Sequence, residues 1–124
     1  MICADTNCLI AFLAGEDRDD VEFLDKLLQR QIVKLPPVVV AELLSDPLLP
    51  REVELLILSL PVVPLSEGYW QRAGKLRARL ASHGYRARLA DTLIAQACLD
   101  SDSPLLTRDQ GFQRFRKVAG LKLV

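Results

Sequence analysis

Residues 1–7, Met1-Ile2-Cys3-Ala4-Asp5-Thr6-Asn7, decide how the rest of the chain is read. The first four are apolar on both faces of a strand, which fits a short strand buried on both sides, as in a parallel sheet. Asp5-Thr6-Asn7 are cap-type residues, and Leu9, Ile10, Phe12 and Leu13 follow at helical spacing before Gly15 closes the segment. A buried strand that runs straight into a helix, with an acid at the junction, is the unit from which the remainder is built.

Working outward, the pattern predicts a helix over residues 19–31. Val21, Phe23, Leu24, Leu27 and Leu28 face inward, with Glu22, Asp25, Lys26 and Arg30 outward. A second strand over 32–35 leads to Pro36-Pro37, which suit a helix's first turn. That helix, 38–44, stops at Ser45-Asp46-Pro47. Another is expected over 51–60, then a proline-bounded strand over 61–64. Ser66 is expected to cap a long helix to about Ser82, ended by Gly84. A helix over 89–99 turns Leu89, Leu93, Ile94, Ala97 and Cys98 inward. Residues 104–107 read as a fourth strand, 111–115 as a short helix and 121–124 as a fifth strand.

Short apolar strands alternating with helices imply an α/β fold. The expectation is three α/β/α layers around a short, mainly parallel five-stranded sheet, in a single domain spanning 1–124. In such sheets ligands bind beyond the carboxyl ends of the strands. Asp5 directly follows the first strand and Asp109 follows the fourth by two residues. If those strands are neighbours, the two carboxylates face one crevice.

Half of the 124 residues are hydrophobic and 26% charged, the balance of an ordinary globular domain. Three cysteines, Cys3, Cys8 and Cys98, form no CxxC pair, and His83 is the single histidine. A tetrahedral zinc site or a disulfide framework is therefore not expected, and buried reduced thiols are. Asp5 interrupts the opening apolar stretch, so neither a signal peptide nor a membrane span is expected, and the cytoplasm is the expected compartment. The formal net charge of zero hides a division. Residues 1–62 carry eleven acids and five bases, and residues 63–124 five acids and eleven bases. Either a polyanionic ligand meets the second half, or the charges mix again on folding.

Four acids matter most: Asp5, Glu42, Asp91 and Asp109. Each has an ordinary explanation. Asp5 and Asp109 can cap helices, Asp91 gains from a helix dipole, and Glu42 can be solvated. As a group they read differently, since carboxylates ~4 Å apart repel by about 4 kcal/mol at an effective dielectric near 20. Such a cluster requires protonation or a cation among its members. Hard oxygen donors suit Mg²⁺ or Mn²⁺, the ions used in phosphodiester hydrolysis, and this chemistry needs no histidine.

Five ordered stretches then carry a resemblance. They are Ile2-Cys3-Ala4-Asp5-Thr6-Asn7, Pro37-Val38-Val39-Val40-Ala41-Glu42-Leu43, Arg72-Ala73-Gly74-Lys75-Leu76-Arg77, Leu89-Ala90-Asp91-Thr92-Leu93-Ile94-Ala95 and Leu105-Leu106-Thr107-Arg108-Asp109-Gln110-Gly111-Phe112. Together they resemble the PIN-domain family, especially VapC-like ribonuclease toxins of toxin–antitoxin pairs. The resemblance implies that Asp5, Glu42, Asp91 and Asp109 are the metal-binding, catalytic acids, with Asn7 and Thr107 supporting them. It also implies Mg²⁺ or Mn²⁺ as cofactor, RNA as substrate, a homodimer, and a small antitoxin that blocks the site. Many relatives carry a further acid where this chain has Gly111, which points to a one-metal resting site.

Arg72, Lys75 and Arg79 are expected on one helix face, and Arg86, Arg88 and Arg108 lie close in sequence to Asp91 and Asp109. They are candidate RNA-binding residues, forming a phosphate-tracking rim, or else solvated helix surface. Tyr69 and Trp70 read as core or dimer contacts. Two other functions stand as alternatives. A phosphoacceptor signalling domain wants an acceptor Asp after its central strand, and residues 61–65 contain none. A PIN-like module that only binds is the other, and retention of all four acids argues against it.

Overall fold

The computed structural model describes residues 1–124. Strand β1 (Ile2–Ala4) is central, with β2 (Val33–Lys34) on one side and β3 (Leu105–Leu106) on the other, both parallel to it. Ile2 pairs with Val33, and Ala4 with Leu106. Cys3 and Ala4 are fully buried, as a central parallel strand requires.

Helices α1 (Thr6–Leu13) and α2 (Asp19–Gln29) fill the crossover from β1 to β2. Helices α3 (Pro37–Leu44) and α4 (Arg51–Ser59) follow β2, and α5 (Tyr69–Ser82) and α6 (Leu89–Asp100) precede β3. A 3-10 turn (Gln110–Phe112) and α7 (Gln113–Ala119) complete the chain. Crossovers in a parallel sheet are right-handed. Travel from β1 to β2 and back past β1 to β3 therefore puts helices on both faces and makes the carboxyl end of β1 a switch point.

The sheet has three strands, where the sequence suggested five. The two missing ones persist as single parallel bridges, Leu35 to Val62 and Leu105 to Leu123. Leu35 donates its N–H to Pro61 O at 2.8 Å and accepts from Val63 N–H at 2.9 Å. The ladder cannot lengthen there, because Pro36 has no N–H and opens α3. At the other edge Leu105 donates to Lys122 O at 2.9 Å and accepts from Val124 N–H at 3.0 Å. Beyond Leu106 the chain leaves the sheet for the Asp109 turn.

Other expectations are corrected in detail. Gly68, in the left-handed region at φ 82°, is the N-cap of α5, and Ser66 instead bonds to Arg72 and Asp100. Phe23 and Leu89, assigned inward, are 39% and 52% exposed. Tyr69 is core, donating its hydroxyl to Leu93 O at 2.6 Å, whereas Trp70 is 64% exposed. The three cysteines are free and buried. Phe112, Phe115, Leu24, Leu80 and Ile94 fill the core around the sheet. No helix is long and apolar enough to cross a membrane.

Candidate metal centre

The chain leaves β1 at Ala4, and Asp5 is the next residue, acting as N-cap of α1. Its carboxylate is 5% exposed as a residue, an unusual place for an acid. Two donors hold it there. Thr6 N–H donates to Oδ1 at 2.8 Å and the Thr107 hydroxyl donates to Oδ2 at 2.7 Å. Thr107 follows β3 directly and also accepts from Asp109 N–H at 3.0 Å. One hydroxyl thus joins the turn bearing Asp109 to the carboxylate on the neighbouring strand.

Glu42 arrives from the middle of α3 and accepts from the Thr6 hydroxyl at 2.7 Å. Asp91 sits in the first turn of α6. Asp109 caps the 3-10 turn by accepting from Gly111 N–H at 2.8 Å. A Cβ on Gly111 would stand 3.0 Å from that same carboxylate oxygen, so a side chain at 111 would crowd Asp109. The ordinary capping roles expected of Asp5 and Asp109 are therefore real, and they coexist with convergence.

All four acids, with Thr6, Asn7, Arg88 and Ala90, line one polar cleft of about 170 Å³ at the carboxyl end of the sheet. Arg88 reaches into it, its Nε 3.2 Å from Asp91 Oδ2 and its Nη2 3.5 Å from Asp109 Oδ2. Burial raises the Asp5 carboxyl above its ordinary pKa, the bonds from Thr107 and Thr6 oppose that, and the charges of Asp91 and Glu42 reinforce it. The carboxylates of Asp91 and, less, Asp109 favour the charged form of Arg88.

The donor chemistry fits a hard divalent cation, being four carboxylates and two hydroxyl or amide side chains with no thiol or imidazole. As the side chains stand, however, no three of the acids are close enough together to grip one ion. The guanidinium of Arg88 lies between two of them.

The basic residues separate into different places. Arg88 is in the cleft, whereas Arg86 is not among the residues that line it, and its backbone carbonyl accepts from Arg114 at 3.3 Å. Arg108 turns away and clasps Asp20 through two nitrogens, with Glu16 at 3.6 Å, so its charge is already matched. Arg72 pairs with Asp100, the last residue of α6, about 13 Å along the helix from Asp91 at roughly 1.5 Å per residue. Lys75 and Arg79 line a separate groove with Arg72.

Three residues went unassigned in the sequence. Thr6 was read only as a cap residue, yet its hydroxyl holds Glu42. Arg114 donates to Gly111 O at 3.1 Å and bridges that turn to Arg86. Its spacing, one helical turn past Gly111, was the available signal. Asp20 anchors Arg108 across 88 residues, and nothing local marks that pairing.

Comparison with known structures agrees with this fold. VapBC from Salmonella typhimurium, bound to DNA, matches with a TM-score of 0.75 at 19% identity, covering 100% of this chain and 98% of that one. VapBC2 from Rickettsia felis, bound to a DNA fragment from its promoter, matches at 0.74 and 21%, covering 100% and 98%. FitAcB from Neisseria gonorrhoeae matches at 0.72 and 23%, covering 99% and 96%. No curated protein matches in sequence. The PIN domain family model matches residues 2–118, nearly the whole chain, and the protein belongs to the PIN-domain family.

Proposed function

We propose that the protein is a Mg²⁺- or Mn²⁺-dependent endoribonuclease and the toxin of a toxin–antitoxin pair. The observation that carries the nuclease reading is the meeting of Asp5, Glu42, Asp91 and Asp109, from four separate elements, in one polar cleft. Structural ion pairing would put a base beside each acid, but here the four acids have one arginine among them, and it pairs with only Asp91 and Asp109.

Asp5, Glu42, Asp91 and Asp109 would hold the cation. When bound, such an ion stabilises negative charge on a phosphoryl oxygen and acidifies an attacking water. The chain's own groups do the positioning. Thr107 orients Asp5 and fixes the Asp109 backbone with one hydroxyl, Thr6 orients Glu42, and Asn7 lines the cleft without a hydrogen bond to any of the acids. Arg86, Arg88 and Arg114 would track the phosphates beside the cleft, with Arg72, Lys75 and Arg79 as a more distant contact. Arg108 is a strut, given its clasp on Asp20.

The toxin reading is supported by its structural relatives, one of them described as a member of the VapBC family of toxin–antitoxin systems. An antitoxin, a homodimer and a cytoplasmic site of action belong to the same proposal. Exposed apolar side chains on and near α4, Leu48, Leu55 and Leu58, are available for such contacts.

Purified protein freed of any partner is expected to cut single-stranded RNA internally with Mn²⁺ and to stop on addition of EDTA. Cleavage that persists in EDTA, or none at any Mn²⁺ concentration, would contradict the nuclease reading.

A further inference from the structure

We propose that Arg88 is a two-position residue: its guanidinium rests on Asp91 and Asp109 until a divalent cation displaces it, and then binds the phosphate of an RNA strand. The inference rests on the metal-dependent reading of the cleft given above.

The first position is in the structure. One guanidinium touches Oδ2 of Asp91 at 3.2 Å and Oδ2 of Asp109 at 3.5 Å, joining α6 to the turn after β3. A cation held by the four acids needs those same carboxylates. Arginine and cation therefore compete for one place.

Mobility follows from how the residue is anchored. Its backbone is fixed, because the Arg88 carbonyl accepts from Thr92 N–H at 3.1 Å and from the Thr92 hydroxyl at 2.9 Å, and Thr92 is fully buried. Its side chain is 77% exposed. Swinging it outward disturbs no packed group. Arg108 and Arg72 differ. Arg108 is 23% exposed and held by two bonds to Asp20, while Arg72 is fastened to Asp100, Ser66 and Glu67 O by bonds of 2.7–3.0 Å. Among the arginines whose partners lie far off in the chain, the one at the cleft acids is the most exposed and the least tightly held.

Magnitudes set the order of events. An exposed ion pair is weak, and a dication attracts each carboxylate with twice the charge of a guanidinium. The cation wins, but against resistance. Once displaced, the guanidinium remains tethered at the cleft mouth, and its planar fork suits a phosphate. Arg88 should thus oppose metal binding and assist RNA binding, opposite signs that a merely structural role would not give.

The test compares wild type with Arg88→Gln and, as a charge-matched control on α2, Lys26→Gln. Mn²⁺ affinity is measured by calorimetry, and affinity for a short single-stranded RNA by anisotropy in saturating Ca²⁺. Arg88→Gln is expected to bind Mn²⁺ about three- to ten-fold more tightly. It should bind RNA several-fold more weakly, with a salt dependence flatter by about 0.7. Lys26→Gln should change neither. Mn²⁺ affinity that is unchanged or weaker in Arg88→Gln overturns the proposal, and unchanged RNA affinity overturns its second position. Absence of Mn²⁺ binding in wild type and Arg88→Gln alike would overturn the metal reading itself.

Discussion

Asp5→Asn is expected to lower RNA cleavage by at least about a hundredfold and, in EDTA at neutral pH, to raise the melting temperature. Both effects come from one feature. The carboxylate is buried beside Asp91 and Glu42, and burial followed by those like charges raises its pKa. Supporting partners of metal ligands are already worth about 10–100-fold, and a ligand's charge should matter more. An amide retains an oxygen for the Thr6 N–H and can donate to Thr107, so the local bonding survives.

The stability sign follows from proton linkage. Because the folded-state pKa of Asp5 lies above the unfolded one, the native state binds this proton more tightly. Stability falls as pH rises from the ordinary carboxylate range through the raised value, and at neutral pH the full strain is present. Asp5→Asn removes it. Its advantage in EDTA should shrink as the pH is lowered toward the ordinary carboxylate pKa. Metal should act on wild type by mass action, about 1.4 kcal/mol at ten times the dissociation constant. That corresponds to roughly 3–6 °C for a domain of this size. Asp5→Asn should lose most of that shift. A variant that melts at or below wild type in EDTA and keeps a full Mn²⁺ response would remove Asp5 from the site.

Expression of the chain alone is expected to arrest growth of its host, and Asp91→Asn to restore it. Asp91 suits this experiment because its replacement by Asn costs the fold little. Its side chain is 15% exposed in the first turn of α6, its ion-pair partner is the exposed Arg88, and Asn forfeits only a dipole contribution of about 0.3–1 kcal/mol. Equal amounts of folded protein from both plasmids are therefore expected, with colonies only from the variant. Arrest by Asp91→Asn, or harmless expression of folded, RNA-cleaving wild type, would contradict a toxin acting through this cleft.

What the sequence made legible was local. The apolar run before Asp5 and the helical spacing around Asp91 placed two acids at element boundaries, where the structure has them. Parallel order could also be inferred, since the connections are long enough only for crossovers. Strand number could not. Residues 61–64 and 121–124 have strand composition, but whether they pair depends on Leu35 and Leu105, whose ladders end at Pro36 and at the turn beyond Leu106.

The cations were the least legible part. Counting charges cannot tell which bases are already neutralised, and the partners lie far off in the chain. Arg108 crosses from the basic half to Asp20 and Glu16 in the acidic half, so part of the charge division does mix on folding. Arg72 is matched by Asp100. Of six candidate RNA-binding residues, Arg88 alone lines the cleft. Thr6 was hidden for a different reason: a hydroxyl's role is set by what α3 brings to it, here Glu42.

The most direct measurement is a calorimetric Mn²⁺ titration of wild type beside Asp5→Asn, Glu42→Gln, Asp91→Asn and Asp109→Asn. The account predicts one tight site per chain in wild type, weakened at least about tenfold by every one of the four substitutions. Affinity that survives all four unchanged would mean that these acids do not form a metal site.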